Sequence, residues 1–278
     1  MKTKGDFKMD EMNLTAKAQQ IRADIIKMLY TCQSGHPGGS LSCVEMLMAL
    51  YYRVAKVDPQ NPQMEDRDRI VLSKGHACPA LYAVLADKGY FPKEDLWNLR
   101  QIDSHLQGHP DMRKTPGVDV NTGSLGQGVS IAMGMALAAK HKKADYKVYA
   151  IVGDGEVQEG LVWEAAMAAA HYKLDNFVVM LDHNGLQIDG SNESVMSLGD
   201  VVDKFRAFGF ECYKVDGHDL AAIEYALRAP VSGKPKFICC ETHKGHGVSF
   251  MSDQAGWHGK APNKEEYELA MKQLGGIN

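Results

Sequence analysis

Five short apolar runs, at residues 70–72, 147–152, 177–181, 210–215 and 237–240, constrain this chain more than any other feature. Each has the length of a strand, and each reads as buried along its whole length. Helical periodicity occupies about 13–30, 43–54, 79–87, 91–99, 125–140, 160–170, 220–228 and 265–274. Ser42 is positioned as an N-cap for the second of these, and a Gly/Pro cluster at 34–40 reads as the loop before it. Wholly apolar strands alternating with helices predict an α/β fold, a parallel sheet with helices on both faces. No repeat, low-complexity tract or linker interrupts the pattern, so one domain over residues 1–278 is expected. The segment 101–124 has little periodicity and much Gly, Pro, His and Asp; so long a loop in a compact domain tends to be functional.

Composition narrows the classes. With 45% hydrophobic and 24% charged residues, the chain is neither disordered, collagenous nor a small disulfide scaffold. A net charge of −4 gives no reason to expect nucleic acid or an anionic membrane as partner. The six cysteines form no C-x-x-C pair and read as reduced thiols of a cytoplasmic protein. Residues 1–13 have no apolar signal-peptide core. The longest uncharged stretch, 120–139, contains four glycines and several polar residues, and reads as a loop and tightly packed helix, not a membrane span.

In an open parallel sheet, ligands bind beyond the carboxyl ends of the strands. The run 147–152 leads into Gly153-Asp154-Gly155, and 177–181 leads into Asp182-His183-Asn184. Twenty-eight residues separate Gly155 from Asn184, which suits one crossover helix between neighbouring strands. Asp154 and the Asn184 side-chain oxygen can then share a hard cation such as Mg²⁺, whose shell phosphate and water complete. A helix after Gly155 would add N–H groups for that phosphate. Taken alone, Gly-Asp-Gly is a turn; the Asn at βα spacing favours the functional reading. His36, His76, His109 and His258 all adjoin glycine in loops, where near-neutral imidazoles suit phosphate, hydroxyls and proton transfer. No Cys/His spacing fits zinc. Glu159 and Glu164, read alone, are helix charges; Lys74, Lys244 and the Gly245-His246-Gly247 loop could contact anions, though solvated loop charges are the commoner outcome.

Taken together, these segments resemble the N-terminal, diphosphate-binding part of transketolases. Gly35-His36-Pro37-Gly38-Gly39-Ser40, Ser73-Lys74-Gly75-His76, Gly108-His109-Pro110, Thr122-Gly123-Ser124-Leu125-Gly126-Gln127-Gly128, Gly153 to Gly160 and Asn184 to Gly190 follow the family's order, over about residues 17–260. The resemblance implies a thiamin diphosphate-binding fold, with that cofactor and Mg²⁺, Ca²⁺ or Mn²⁺. Asp154, Asn184 and the Leu186 carbonyl would hold the cation. The cofactor would meet His76, Gly123, Ser124, Leu125, Gly153, Asp154, Gly155, Glu156, Asn184 and His258. His36, His76, His109 and His258 would face the sugar, and Glu159 and Glu164 would join a carboxylate network across a dimer. Ser124 departs from a position that is often proline in the family. The implied activity is two-carbon ketol transfer between sugar phosphates in the pentose phosphate pathway. The family's pyrimidine-binding and C-terminal domains, with the glutamate that protonates the cofactor ring, have no counterpart in these residues. The expectation is therefore a split enzyme, two such chains with two separate C-terminal subunits. Split relatives acting on a sulfosugar or branched-sugar phosphate, and a non-catalytic relative of the same fold, are the alternatives. A deoxyxylulose phosphate synthase or the alpha chain of an oxo-acid dehydrogenase fits the Gly-His-Pro and Thr-Gly-Ser-Leu-Gly-Gln-Gly segments less well.

Overall fold

The structure is a computed structural model and describes residues 4–275, with side chains from Asn13 onward. The strands are β1 (Arg69–Leu72), β2 (Val148–Gly153), β3 (Phe177–His183), β4 (Glu211–Asp216) and β5 (Lys236–Glu241). They form one all-parallel sheet in the order β1-β2-β3-β5-β4. The first helices are α1 (Lys4–Cys32), α2 (Pro37–Ser42), α3 (Val44–Met48) and α4 (Cys78–Lys88). After them come α5 (Gln127–Lys142), α6 (Gly160–His171), α7 (Asn192–Val195), α8 (Val201–Ala207), α9 (Leu220–Arg228) and α10 (Lys264–Gln273).

Side chains alternate across a strand, and both faces of this sheet are apolar. Ile70, Leu72, Tyr149, Ile151, Met180 and Ile238 join a core with α1 to α4 and α9. Val71, Ala150, Val152, Val179, Leu181 and Phe237 join a second core with α5, α6 and α8. The parallel, doubly covered sheet is as the sequence predicts. The strand at β4 differs: it is half-exposed with Lys214 and Asp216 in solvent, because it lies at the sheet edge.

Local differences have local causes. The cluster at 34–40 is not all loop, since Pro37 takes the first turn of α2, where its missing N–H costs nothing. Ser42 ends α2 instead of capping the next helix, and its hydroxyl donates to Asp182 Oδ2 at 2.6 Å. Residues 93–98 form a 3₁₀ turn and 49–54 a π-helical turn. α5 starts at Gln127 because Gly126 adopts φ +81°. α8 was not expected; the Asp200 side chain accepts the Asp203 N–H at its start. The end of the loop 101–124 runs along the free edge of β1. There Asp119 Oδ2 accepts the Ile70 N–H at 2.7 Å, and the Thr122 hydroxyl donates to the Leu72 carbonyl at 2.8 Å. A bare strand edge is thereby covered.

Candidate active site

The tips of β1, β2, β3 and β5 open into one cleft of about 350 Å³. β2 delivers Gly153, Asp154 and Gly155; β3, its hydrogen-bonded neighbour, delivers Asn184 and then Leu186. Asp154 is buried. Its Oδ1 accepts His183 Nδ1–H at 2.6 Å, which raises the imidazole's pKa, and its Oδ2 accepts the Gly185 N–H at 2.7 Å. Asn184 Nδ2 donates to Asp182 Oδ2 at 3.3 Å, and its Oδ1 accepts the Leu186 N–H at 3.2 Å. Among the described residues no group of three or more His, Cys, Asp or Glu side chains converges as metal ligands. A cation here therefore relies on one carboxylate, one amide oxygen and peptide carbonyls. That hard oxygen set suits Mg²⁺ or Ca²⁺ with phosphate completing the shell.

Two lysines lie beneath the cleft, and both are buried, at 1% exposure for Lys74 and 2% for Lys244. They are not the solvated loop charges expected from the sequence. Lys74 pairs with Asp182 and donates to the Gly39 carbonyl at 2.8 Å. Asp182 also accepts from Ser42 and Thr242, and its carboxyl is held below the usual range chiefly by the Lys74 charge, against the pull of burial. Lys244 forms no carboxylate ion pair among the described residues. Its Nζ meets the Gln187 carbonyl at 3.3 Å and His258 Nδ1 at 3.1 Å, and burial lowers its pKa to about 8. A buried ammonium that lines a cleft without its own carboxylate is a place for an anion.

His36, His76 and His258 form a ring cluster with centroids 5.2–5.4 Å apart. Burial is the main cause that lowers their pKa values, to about 4 for His36 and His258 and well below the ordinary value for His76. All three are neutral imidazoles at pH 7. His109 is exposed and touches the cleft indirectly: a Cβ built on Gly123 would lie 3.1 Å from its ring. Leu125 and Gly123 line the cleft, whereas Ser124 is exposed and does not. Glu156 is buried under the β2 tip, where it accepts from Ser73, from the Gly126 N–H at 3.0 Å and from the Gly153 N–H at 3.2 Å. The expected helix after Gly155 is a 3₁₀ turn at Glu156–Gln158, and α6 begins only at Gly160. Glu159 and Glu164 are exposed, outside the cleft.

Sequence reasoning gave Asp182 no role in the site, and anion contact by Lys74 and Lys244 was only its less favoured reading. The available signal was position, since each stands at or just beyond a strand's carboxyl end.

Comparison with known proteins bears on this arrangement. Residues 14–278 match the family described as transketolase, thiamine diphosphate binding domain. One of the subunits of an apulose-4-phosphate transketolase from Phocaeicola vulgatus is 42% identical over 268 residues, covering 96% of this chain and 95% of the relative. A 6-deoxy-6-sulfo-D-fructose transketolase subunit from a Clostridium species is 44% identical over 268 residues, covering 95% and 97%. The crystal structure of a Campylobacter jejuni transketolase superposes with a TM-score of 0.88 at 36% identity, over 94% of this chain and 42% of that one. The chain thus spans nearly all of the two subunits and about two fifths of the longer enzyme. With this agreement along almost its whole length, the chain belongs to the transketolase family, as its thiamine diphosphate binding domain.

Proposed function

We propose that this chain is the cofactor-binding subunit of a two-component transketolase, moving a two-carbon ketol unit from a ketose phosphate to an aldose phosphate. The observation that carries the reading is one cleft holding three things together. Asp154 and Asn184 stand on neighbouring strand tips, Lys244 is buried with no carboxylate partner among the described residues, and three neutral histidines line the wall. Bound thiamin diphosphate supplies the electron sink for breaking and making the carbon–carbon bond. Asp154, Asn184 and the Leu186 carbonyl hold Mg²⁺, or Ca²⁺ or Mn²⁺ in its place. Lys244, His76, His258 and the Gly155 N–H bind the diphosphate. Gly123 and Leu125 would hold the rings of the cofactor, whereas Ser124, exposed outside the cleft, would reach it only through its backbone neighbours. His36 and His109, with the other two histidines, hold sugar hydroxyls and move protons to and from them, a task suited to imidazoles that are neutral at pH 7.

The whole chain acts as one domain of this enzyme, and the pyrimidine-binding and C-terminal domains come from a separate subunit. Support comes from the relatives named as subunits, which this chain matches nearly end to end. The assembly is two plus two, with Glu159 and Glu164 covered by the second copy. The six free cysteines support a cytoplasmic setting, and no helix among the described residues is long and apolar enough to cross a membrane. Donor and acceptor are sugar phosphates of the pentose phosphate pathway. The relatives' names favour a second reading, an apulose phosphate or a sulfosugar as the donor.

The test is ketol transfer from xylulose 5-phosphate to ribose 5-phosphate with Mg²⁺ and thiamin diphosphate, by the chain alone and with the protein encoded beside it. Transfer only by the mixture supports the proposal. Cofactor binding without transfer from xylulose 5-phosphate, from an apulose phosphate or from a sulfosugar would instead indicate a non-catalytic relative.

A further inference from the structure

His36 raises a problem of orientation. Among the described residues its buried Nδ1 has no hydrogen-bond partner, so no hydrogen bond from them fixes the ring at that nitrogen. The ring lies against His76 and His258, and the backbone is anchored after it by Ser40 Oγ, which donates to the His36 carbonyl at 2.6 Å, and before it through Ser34. His109, on the other loop of the same wall, has well-defined anchors. The Tyr82 hydroxyl donates to the Gln107 carbonyl at 2.9 Å and lies 3.2 Å from the His109 carbonyl, and Cys78 Sγ donates to the Gly108 carbonyl at 3.2 Å. α4 thereby fixes the loop 107–109.

Arg100 carries that fix across the wall. Its Nη2 donates to the Gly108 carbonyl at 3.2 Å and its Nη1 to Ser34 Oγ at 3.3 Å, two residues before His36. The side chain is packed in place: a Cβ on Gly108 would lie 2.9 Å from Arg100 Cζ, and one on Gly35 3.9 Å from Arg100 Nε. The backbone of Arg100 adopts φ +61°, an uncommon conformation for a side-chain-bearing residue, and its N–H is held by the Leu106 carbonyl at 3.0 Å. No carboxylate pairs with the guanidinium among the described residues; its two hydrogen bonds go to neutral oxygens of two separate loops.

We propose that Arg100 is the positioning residue of the sugar-facing wall, tying the loop before His36 to the loop before His109 so that both imidazoles present to one substrate. This rests on the sugar-facing role proposed above for those histidines. The charge acts in the same direction as the geometry. After burial, the Arg100 guanidinium is the largest influence holding His36 and His109 below the ordinary imidazole pKa. His36 also faces His109 and Lys244 and lies against the rings of His76 and His258.

The experiment compares Arg100→Met, Arg100→Lys and Ser34→Ala with the parent. Donor KM, kcat and thiamin diphosphate affinity are read on the two-subunit complex, and imidazole titrations by NMR on the full chain. Arg100→Met is expected to raise donor KM about 10- to 100-fold through misplaced contacts, with cofactor affinity unchanged. His36 and His109 should then titrate at higher pH. Arg100→Lys should restore the titrations but not KM, because one ammonium does not replace a fork that bridges two loops. Ser34→Ala removes one anchor and should raise KM in the same direction; it serves if Arg100→Met fails to fold. Unchanged KM and titrations, full rescue of KM by lysine, or a fall in cofactor affinity that parallels the loss of activity would each overturn the proposal. A parent complex that binds cofactor without ketol transfer would overturn the functional reading instead, and the titrations would still judge Arg100.

Discussion

The two lysines beneath the cleft are both buried, but they are held by different physics. Lys74 is fully paired, and removing it in Lys74→Met strands the Asp182 carboxylate, an uncompensated charge that costs about 3–5 kcal/mol. Urea denaturation should show that loss at neutral pH. The pH limits follow from the shifts. Asp182 is depressed, so its contribution is present above the ordinary carboxylate range and is lost as pH falls through its lower folded value. Lys74 is raised, chiefly by Asp182 against burial, so its contribution is present below 10.5 and is lost as pH climbs through its higher folded value. Lys244 has the opposite sign, because burial lowers it to about 8. Its charge is present below that pH and fades above it, so affinity of the free chain for pyrophosphate should fall as pH rises through about 8. Calorimetric titration would show this, and Lys244→Met should abolish that limb. In the sequence, Asp154 and Asn184 were legible because strand-tip placement depends only on local pattern. The burial of Lys74 and Lys244 was not, because it is decided by α2, β3 and the 257–258 turn, far away along the chain.

Among the elements, the contact between α5 and β1 tolerates no extra atom. A Cβ on Gly128 would fall 2.6 Å from Ser73 Oγ and 2.8 Å from Ser73 Cα, and Ser73 in turn holds Glu156 beneath the β2 tip. Gly128→Ala should cost about 1–3 kcal/mol from overpacking, despite alanine's better helix propensity. The urea midpoint measures it, and an unchanged midpoint would mean the helix can slide away. Elements with strong local signals were legible in the sequence: four strands with consistently apolar faces, and helices with clear periodicity. β4 looked alike in sequence, yet only strand order decides which run becomes an edge. α2 was hidden because its glycines argue against a helix, whereas tertiary packing buries all six of its residues. α8 was hidden behind a missed signal, an aspartate cap with a polar helix face.

Across the whole molecule, the cleft contains half of what ketol transfer requires. Its buried glutamate, Glu156, already accepts from Ser73, Gly126 and Gly153 beneath the β2 tip. The separate subunit proposed above would bring the acid that serves the cofactor ring, so the chain alone is expected to be inactive. The two-plus-two assembly proposed above would set a second copy against an apolar part of the surface. α5 and α6 present Ile131 at 38% exposure and Met167 at 63%, and Glu159 and Glu164, just before and within α6, are exposed too. Exposed apolar side chains on these helices favour covering by another surface. Met167→Glu changes an exposed position, so the fold should keep its stability within about 0.5 kcal/mol. The like charge placed against its own copy should split the assembly, and light scattering on the mixture of subunits would show the mass fall. Ketol transfer should fall with it if Glu159 and Glu164 work only as a covered network. A lower mass with full activity would leave the two carboxylates as ordinary surface charges, and an unchanged mass would place the interface elsewhere on the chain.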